Sequence, residues 1–282
     1  METREITCSD IVAAVRQLFM DANTSLEQDV LAALRKAKDR EISDIGRYVL
    51  EQILENAAIA EKRAVPLCQD TGLAVVFLEI GQDVHFVGGS LNDAIADGIR
   101  QAYAEGNLRK SVCDPLSRVN TNDNLPAAIH TEIVPGNRLK IIAMPKGGGS
   151  ENMSGTAMLL PATGYEGIKR HVVEQVRRAG SNPCPPVIVG VGIGGTLEQS
   201  ALLAKKALLR PIGKPNDQDQ RLEKLEREIL EEINMTGIGP QGYGGSVTAL
   251  AVHAVMTPCH IASLPVSVNI QCHAVRHREA LL

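Results

Sequence analysis

Three cysteines in unusual settings are the residues of this chain that point most directly to chemistry. Cys68 opens the run Cys-Gln-Asp-Thr-Gly (residues 68–72), which places a thiol, an amide and a carboxylate side by side. Cys184 lies between two prolines, and Cys272 follows a glutamine. A metal held by three thiolates keeps one coordination position open, which a catalytic metal requires and a structural metal avoids. The residues alone leave open whether these thiols share a metal or are separately buried.

The other three cysteines have ordinary settings. A free cysteine is often simply a small buried apolar residue, so we predict that Cys8, Cys113 and Cys259 are not metal ligands. No pair of cysteines has the C-x-x-C spacing of a zinc site. Disulfides are not expected either, because the N-terminus lacks the layout of a secretory signal.

Asp70 and His260 are the candidates for acid–base chemistry, and Arg109 is a candidate for substrate binding. Asp70 follows Cys68 by two residues, so its carboxylate would lie beside a metal bound there and could exchange a proton with a substrate. His260 precedes the apolar run that leads to Cys272, although a lone histidine is commonly a structural group. Arg109 could hold a carboxylate with its two-pronged guanidinium, or it could be an ordinary surface arginine.

Composition excludes several functional classes. The chain has 282 residues, is 44% hydrophobic and carries a net charge of −4, which is typical of a globular protein with one large or two modest domains. No basic block indicates nucleic-acid binding, and no apolar run reaches the length of a membrane span. We therefore expect a cytoplasmic protein that binds neither nucleic acid nor membrane. Aromatic residues make up only 2% of the chain, so the core must be aliphatic.

The hydrophobic pattern predicts an α/β fold in which a helical part (residues 1–65) precedes a mixed-sheet α/β part (residues 66–282) with glycine-rich loops around the metal site. Ser9 and Ser90 are predicted helix N-caps. Strands are predicted at 73–80, 84–87, 187–191 and 261–270, a hairpin at 127–134 with 139–144, and later helices at 90–107, 165–179, 196–209, 217–232 and 247–256.

Two glycine-rich runs each allow two interpretations. Gly190–Gly195 matches G-x-G-x-x-G, the pattern of a dinucleotide loop, but the chain then continues into a polar loop and a helix. A helix N-terminus opened by glycines also binds carboxylates, which suits a small dicarboxylate. Lys146–Ser150 contains three consecutive glycines. It could be a simple hairpin exit, but the backbone entropy that glycines lose on folding favours close approach to a ligand.

Several long motifs together resemble those of one enzyme family. They are Cys-Gln-Asp-Thr-Gly, the segment Asn120–Pro126, Lys-Gly-Gly-Gly-Ser-Glu-Asn (residues 146–152), the Cys-Pro-Pro-Val-Ile-Val-Gly run that begins at Cys184, and Gly-Ile-Gly-Pro-Gln-Gly (residues 237–242). Across nearly the whole chain this pattern is similar to class I, iron–sulfur fumarate hydratases. It looks like the separate alpha subunit of their two-subunit form.

The resemblance implies a cofactor, partners and a set of roles. A [4Fe–4S] cluster would be held by Cys68, Cys184 and Cys272, with its fourth iron open to substrate. The implied contacts of the dicarboxylate substrate are Gln69, Asp70, Arg109, Gly147, Gly148 and Gly149. His260 corresponds to a proposed participant in proton transfer. A beta subunit would supply the remaining cations and the base, and an alpha–alpha contact would build a heterotetramer.

The resemblance favours interconversion of fumarate and (S)-malate. The alpha subunit of L(+)-tartrate dehydratase shares the cysteine framework and is the alternative. A third hypothesis, of a different class, is a non-enzymatic iron–sulfur scaffold or an electron-transfer subunit. An electron carrier normally uses four protein ligands at close spacing, whereas this chain offers three widely spaced cysteines in suitable settings.

Overall fold

The computed structural model describes residues 3–217 and 219–282, which fall into two compact units assembled from separated stretches of chain. Unit 1 comprises the described part of Met1–Leu26, together with Asn56–Gly148 and Arg276–Leu282. Unit 2 comprises Glu27–Glu55 and Gly149–Val275. Both units contain helices and strands, and the sheets mix parallel and antiparallel pairs. The predicted α/β class with mixed sheets is therefore confirmed.

The elements follow one another along the chain in a fixed order: β1 (Arg4–Thr7), α1 (Cys8–Thr24), α2 (Gln28–Arg40), α3 (Asp44–Arg63), β2 (Leu73–Gly81), β3 (Val84–Val87), α4 (Leu91–Glu105), β4 (Ala128–Val134), β5 (Leu139–Lys146), α5 (Gly148–Glu151), β6 (Gly155–Leu159), α6 (Gly164–Ala179), β7 (Val187–Gly194), α7 (Leu197–Ala207), α8 (Gln220–Asn234), β8 (Ala249–Thr257), β9 (Leu264–Gln271) and β10 (Arg278–Leu281). No helix in the described ranges is long and apolar enough to cross a membrane.

Unit 1 is built on a four-stranded sheet in the order β10-β5-β2-β4. Strand β2 runs parallel to β4 and antiparallel to β5. Helices α1 and α4 pack against each other, and α1 also contacts β5. Their buried side chains, such as Ile11, Val15, Phe19 and Tyr103, form one core cluster with the sheet.

Two predicted N-caps in unit 1 had different outcomes. Ser90 caps α4 as expected, because its hydroxyl accepts a hydrogen bond from the backbone N–H of Asp93. The predicted cap Ser9 is wrong. Helix α1 begins at Cys8, and the hydroxyl of Thr7 accepts from the backbone N–H of Asp10. The strand β1, which pairs with β3, ends at Thr7 and so fixes an earlier start for the helix.

Unit 2 is built on a second four-stranded sheet, in the order β6-β9-β7-β8. Strand β7 is buried along its whole length, as expected for a central strand covered on both faces. Its valines pack in one core cluster with side chains of α6 and α8. Its alternate residues face α7, so helices cover both faces of this sheet.

The glycines of the G-x-G-x-x-G run serve helix–strand packing. Gly190 and Gly192 lie inside β7, not in a loop. A Cβ atom would lie 2.1 Å from the carbonyl oxygen of Ala204 at Gly190, and 2.0 Å from that of Ser200 at Gly192. Helix α7 therefore approaches β7 so closely that only glycine fits. This packing role was not among the two roles expected from the sequence, a dinucleotide loop and a carboxylate-binding helix N-terminus.

Two predicted elements are wrong. Strands β4 and β5 do not form a hairpin, because both pair with β2, which lies between them. Residues 81–83 insert there and hydrogen-bond to the backbone of Val134, Gly136 and Arg138. The predicted helix 247–256 is strand β8 instead. Its alanine-rich sequence suggested a helix, but the segment is buried on both faces beside a parallel neighbour, as such strands commonly are.

The other predicted strands and helices are confirmed with shifted ends. Three ends shift by three residues. The charged helix begins at Gln220 instead of 217, strand β7 ends at Gly194 instead of 191, and the strand leading to Cys272 begins at Leu264 instead of 261.

Candidate functional site

The cysteine loop of unit 1 lies between α3 and β2. Cys68 is half-buried, and its sulfur accepts a hydrogen bond of 3.4 Å from the backbone N–H of Asp70. Its thiol also lies 3.3 Å from the side-chain oxygen of the exposed Gln69. Backbone N–H groups directed at a sulfur stabilise the thiolate, and at iron–sulfur centres they help to set the reduction potential.

The carboxylate of Asp70 is held by backbone N–H groups. One oxygen accepts from Gly72 at 3.0 Å, and the other accepts from Gly148 at 2.7 Å. A Cβ atom on Gly147 would lie 3.3 Å from the second oxygen. The first two glycines of the 147–149 run thus allow the backbone to approach Asp70 closely. The predicted approach to a ligand stays a prediction; within the chain, the group that these glycines approach is the Asp70 carboxylate.

Arg276 is a further charged group of this region, and sequence reasoning missed it. Its side chain is only 1% exposed, and its guanidinium donates to the carbonyl oxygen of Asp70. It also lies 3.4 Å from the side-chain oxygen of Asn23, and 3.0 Å from the position that a Gly147 Cβ would take. The buried guanidinium of Arg276 therefore holds the backbone carbonyl of Asp70 in place.

Two buried side chains hold the end of the cysteine loop in place. The hydroxyl of Tyr103 donates to the carbonyl oxygens of Thr71 and Gly72, both at 2.9 Å, and burial raises the pKa of Tyr103 above its ordinary value. The side-chain amide of Asn124 donates to the Gly72 carbonyl at 3.1 Å. Gly72 itself has φ +81°, and an added Cβ would lie 2.6 Å from the backbone nitrogen of Lys146, so only glycine fits.

The same loop is tied to the segment that carries Arg109. The hydroxyl of Thr71 donates to the Arg109 carbonyl at 2.8 Å, and Asn124 accepts from the backbone N–H of Ser111 at 2.7 Å. The Arg109 side chain is exposed. Its backbone is thus connected to the Cys68–Gly72 loop while its guanidinium faces solvent. Asn124 lies in the 120–126 motif, but its anchoring role could not be inferred from the sequence.

Cys184 and Cys272 lie at one end of the unit 2 sheet. The register pairs Ile188, near the start of β7, with Gln271 at the end of β9. The ring nitrogen Nδ1 of His273 lies 3.0 Å from the Cys184 carbonyl oxygen and 3.0 Å from the amide nitrogen of Gln241. Three separate motifs, around residues 184, 241 and 272, therefore meet at this end of the sheet.

The backbone at Cys184 is held in an uncommon conformation. Its φ is +57°, a left-handed value that is unusual for a residue other than glycine. The carbonyl of Pro185 accepts from both the backbone and the side-chain nitrogen of Gln241, at 2.8 and 2.9 Å. The third glycine of the 147–149 run belongs to unit 2 and approaches this turn, because a Cβ on Gly149 would lie 3.2 Å from the Asn182 carbonyl. The exposed Cys184 thiol is thus presented by a fixed turn.

Gln271, beside Cys272, was also missed. Its side chain is fully buried, and neither its amide oxygen nor its amide nitrogen has a hydrogen-bond partner among the described residues. A buried amide without partners is costly.

His260 lies at the opposite end of the same sheet. It is exposed in the loop after β8, where its Nδ1 accepts from the backbone N–H of Ala262 at 3.1 Å. Seven strand residues, Ile188 to Gly194, span the sheet between the two ends, and the six steps between them cover about 20 Å at the rise of a strand. Within unit 2 the structure therefore does not bring His260 together with Cys184 and Cys272.

All six cysteines are free thiols. Cys8 is buried at the start of α1, Cys113 is half-buried, and the exposed Cys259 donates to the Ser263 carbonyl at 3.1 Å. In the described ranges, no three His, Cys, Asp or Glu side chains lie close enough together to hold a metal ion.

Comparison with known proteins gives a consistent answer. Residues 12–281 match the family model described as "Fumarate hydratase (Fumerase)". The chain belongs to the fumarate hydratase (Fumerase) family. Similar curated relatives include "Putative L(+)-tartrate dehydratase subunit alpha" of Methanocaldococcus jannaschii, 45% identical over 95% of both chains. "L(+)-tartrate dehydratase subunit alpha" of Escherichia coli is 33% identical over 92% of this chain and 86% of the relative.

The sequence resemblance implies an iron–sulfur group, and the donor chemistry of this chain fits such a group. Thiolates are the protein ligands of iron–sulfur clusters. Cys68 carries a backbone N–H bond on its sulfur, Cys184 is presented on a fixed turn, and Cys272 adjoins the unpartnered amide of Gln271.

Proposed function

We propose that this chain is the alpha subunit of a hydro-lyase that interconverts fumarate and (S)-malate. The observation that carries the proposal is the Asp70 carboxylate, which two backbone N–H groups fix beside Cys68 in a chain of the Fumerase family. Fixing a carboxylate next to a thiol ligand places an acid–base group beside a metal-bound substrate.

Cys68, Cys184 and Cys272 would hold a [4Fe–4S] cluster. When bound, the cluster supplies an iron with an open coordination position that can polarise the hydroxyl group of malate. Among the other cysteines, Cys8 is buried within the α1 core and Cys259 donates to a backbone carbonyl, which supports leaving them outside the ligand set.

The chain's own groups bind the substrate and move a proton. Gln69 and Arg109 are exposed beside the loop and would bind a substrate carboxylate, since a guanidinium matches a carboxylate with two parallel hydrogen bonds. Asp70 would exchange a proton with the substrate, and its backbone-held oxygens keep its orientation fixed. The 147–149 glycines would leave room for the dicarboxylate. Arg276, which is buried, acts by positioning Asp70.

The part played by His260 needs a separate test, because in this chain it lies about 20 Å along the sheet from the end that carries Cys184 and Cys272. We retain it as a proposed participant in proton transfer. Its exposed position gives a clear test, since His260→Asn should lower turnover without destabilising the fold or reducing iron content.

A beta subunit is the proposed partner. Both relatives named above are called subunit alpha, which implies a second kind of subunit. A dicarboxylate carries two negative charges, while Arg109 offers one exposed guanidinium beside the loop. The beta subunit would supply the other cations and the second proton-transfer group, and an alpha–alpha contact would complete a heterotetramer.

L(+)-tartrate is the second candidate substrate, and the names of the relatives specifically favour it. A relative with 45% identity carries the tartrate dehydratase name. Tartrate differs from malate by one added hydroxyl group. A pocket discriminates against an added hydroxyl only modestly unless it is shaped to exclude it, so the two activities must be measured side by side.

The deciding experiment is co-expression with the beta subunit, followed by anaerobic assay of cluster-loaded protein against fumarate, malate and L(+)-tartrate. The proposal requires the larger kcat/KM for fumarate and malate. A larger value for tartrate would assign the chain to the second candidate. A cluster that survives oxidation intact and does not respond to any of the three substrates would instead indicate an electron-transfer or scaffold role.

A further inference from the structure

Strand β4 leaves a long exposed edge on the sheet of unit 1. It is the last strand in the order β10-β5-β2-β4, so among the described residues only β2 pairs with it. Its seven residues, Ala-Ile-His-Thr-Glu-Ile-Val (128–134), pair with β2 in an uninterrupted register and include no lysine or proline. Lysines, prolines and bulges are the usual protection of a strand edge against pairing with another chain. The β4 edge lacks them within the strand and is therefore suited to pairing with a further strand.

Alternate residues of β4 direct their backbone groups to this edge. The carbonyl oxygen of Val134 accepts from the backbone N–H of Gln82, which directly follows β2, at 2.9 Å. Val134 therefore directs its backbone groups to β2. Because backbone directions alternate along a strand, the N–H and C=O groups of Ile129, Thr131 and Ile133 point to the free edge. Thr131 and Ile133 are exposed, and Ile133 is 73% exposed, so this part of the edge is open to a partner.

The sequence of β4 is complementary to itself when two copies pair antiparallel about Thr131. Every cross-strand pair then matches in kind: hydroxyl with hydroxyl, imidazole with carboxylate, and apolar with apolar. The pairs are Thr131 with Thr131, His130 with Glu132, Ile129 with Ile133, and Ala128 with Val134. Paired threonines and opposite charges stabilise neighbouring strands. The outward-facing residues oppose one another in this register, so they can exchange about six backbone hydrogen bonds.

The two neighbouring registers lack this match. Outward-facing residues must oppose one another, so the next possible axes pass through residue 130 or residue 132. An axis at Glu132 sets two carboxylates against each other, and an axis at His130 sets two imidazoles against each other. Glu132 already lies opposite Glu79 of β2, and like charges in that position are destabilising. An imidazole N–H of a second copy, donating to Glu132 from the other side, would offset that repulsion.

A groove beside β4 has room for the apolar pairs. Helix α4 and the segment before β4 line an open groove of about 590 Å³, whose wall includes Ile95, Leu125 and Ile129. Residues that oppose each other across two strands lie on the same face of the sheet. The register about Thr131 therefore brings Ile133 of a second copy to Ile129, at this groove. The exposed isoleucine would lose its contact with water there.

We propose that the free edge of β4 pairs antiparallel with the same edge of a second copy of this chain. Two four-stranded sheets would then form one sheet of eight strands about a two-fold axis. Such a contact uses the same surface on both copies, so it closes as a dimer and does not continue into a fibre. The inference rests on the proposed function in one respect, because it assigns the alpha–alpha contact of the heterotetramer to particular residues.

Analytical ultracentrifugation of the full chain, without beta subunit, tests the contact. We expect a dimer whose dissociation constant rises at least roughly tenfold in Thr131→Pro and in Ile133→Lys. Proline at 131 removes an outward N–H and no bond to β2, whereas Thr131→Val keeps that N–H and is the matched control. A chain that is monomeric at about 100 μM, or a dimer unaffected by both changes, would overturn the proposal. If Thr131→Pro does not fold, Ile133→Lys decides alone.

Disulfide cross-linking tests the register. The two Thr131 Cα atoms would lie about 5.5 Å apart, within the range that a disulfide spans, so Thr131→Cys should give a covalent dimer under mild oxidation. Ile133→Cys is the matched control on the same edge. Its two copies would lie four residues apart, about 13 Å, and should cross-link no more than the unmodified chain does. Equal cross-linking of both variants, or none in Thr131→Cys, would refute the register.

Neither measurement requires turnover, so the contact and the proposed function fail separately. A monomeric chain would refute the β4 contact and leave the proposed hydro-lyase activity standing. A complex without activity on fumarate, malate or tartrate would refute that activity and leave the dimer standing. Loss of beta-subunit binding in Ile133→Lys, with the dimer of this chain unchanged, would assign the edge to the beta subunit and overturn the proposal.

Discussion

Asp70 is the residue on which the proposed chemistry depends most directly. Its carboxylate accepts two backbone N–H bonds, so Asp70→Asn keeps the size and much of the hydrogen bonding of the side chain but removes its capacity to take a proton. We expect turnover to fall by about 10²–10⁴-fold while iron content stays unchanged. The measurement is kcat together with iron per chain on the cluster-loaded complex.

Glu61→Gln is the matched control for that change, because Glu61 is an exposed carboxylate of unit 1 outside the loop. It should show normal turnover. Near-normal activity of Asp70→Asn would remove Asp70 from the mechanism. Equal loss of iron and activity would show that it supports the cluster instead of the reaction.

The cysteines fall into two groups, the three proposed cluster ligands and the three that are not expected to bind iron. Replacing Cys68, Cys184 or Cys272 with serine should remove most of the bound iron, since thiolate ligands hold such clusters. Cys113→Ser should leave iron content and the visible absorption of the cluster unchanged. Iron loss in Cys113→Ser, or full retention in any of the first three, would overturn the ligand assignment.

What the sequence could predict at the residue scale depended on local context. Cys184 could be proposed as a metal ligand because two flanking prolines make its setting unusual, and Cys68 because a carboxylate follows it closely. Arg276 and Tyr103 could not be identified, because their contacts with Asp70 and Gly72 join residues more than 30 positions apart. The isolation of His260 from the two cysteines of its unit depends on the strand register, which sequence spacing does not give.

At the scale of elements, the predictions failed where alanine-rich sequence is ambiguous. Ala249–Ala254 forms a buried strand beside β7, although its composition favours a helix. Conversely, the glycines of β7 suggested a loop, but they permit the close approach of α7. In both cases contacts with a neighbouring element decided the conformation. Those contacts cannot be inferred from the sequence of the segment alone.

One buried carboxylate fixes the entry to strand β8. Glu41 is 1% exposed and accepts backbone N–H bonds from Ser43, Ser246 and Val247. Burial alone would raise the pKa of Glu41, but these hydrogen bonds outweigh it and hold the pKa below its ordinary value of 4.5. Because the folded-state pKa is depressed, the stabilisation is present above the unfolded-state pKa and is lost as the pH falls through the folded-state value.

Glu41→Gln should therefore lower the free energy of unfolding by about 1–3 kcal/mol at neutral pH, since bonds to a charged acceptor are stronger than those to an amide. The difference from the unmodified chain should shrink as the pH falls below about 4.5. Urea unfolding at several pH values measures this. Glu231→Gln on the exposed face of α8 is the control, and a pH-independent difference for Glu41→Gln would refute the electrostatic explanation.

At the scale of the whole molecule, the proposed division of labour predicts that this chain alone is inactive. The groups gathered around Asp70 include one buried arginine that is occupied with backbone contacts and one exposed arginine, Arg109. A dianionic substrate needs further cations, and hydration needs a second proton-transfer group. Open access of water and oxidants to the labile iron would also impair the reaction, whereas a closing partner would exclude them.

The test compares cluster-loaded chain with the same preparation after addition of purified beta subunit, under anaerobic conditions. We expect no fumarate hydration above background for the chain alone. Turnover should rise as beta subunit is added and should saturate at a fixed ratio of the two subunits. Saturation identifies a stoichiometric complex, whereas a continued increase would indicate contaminating activity. Robust hydration by the chain alone would place every essential group within these 282 residues. The second proton-transfer group would then have to be sought within this chain, where His260 is the first residue to replace.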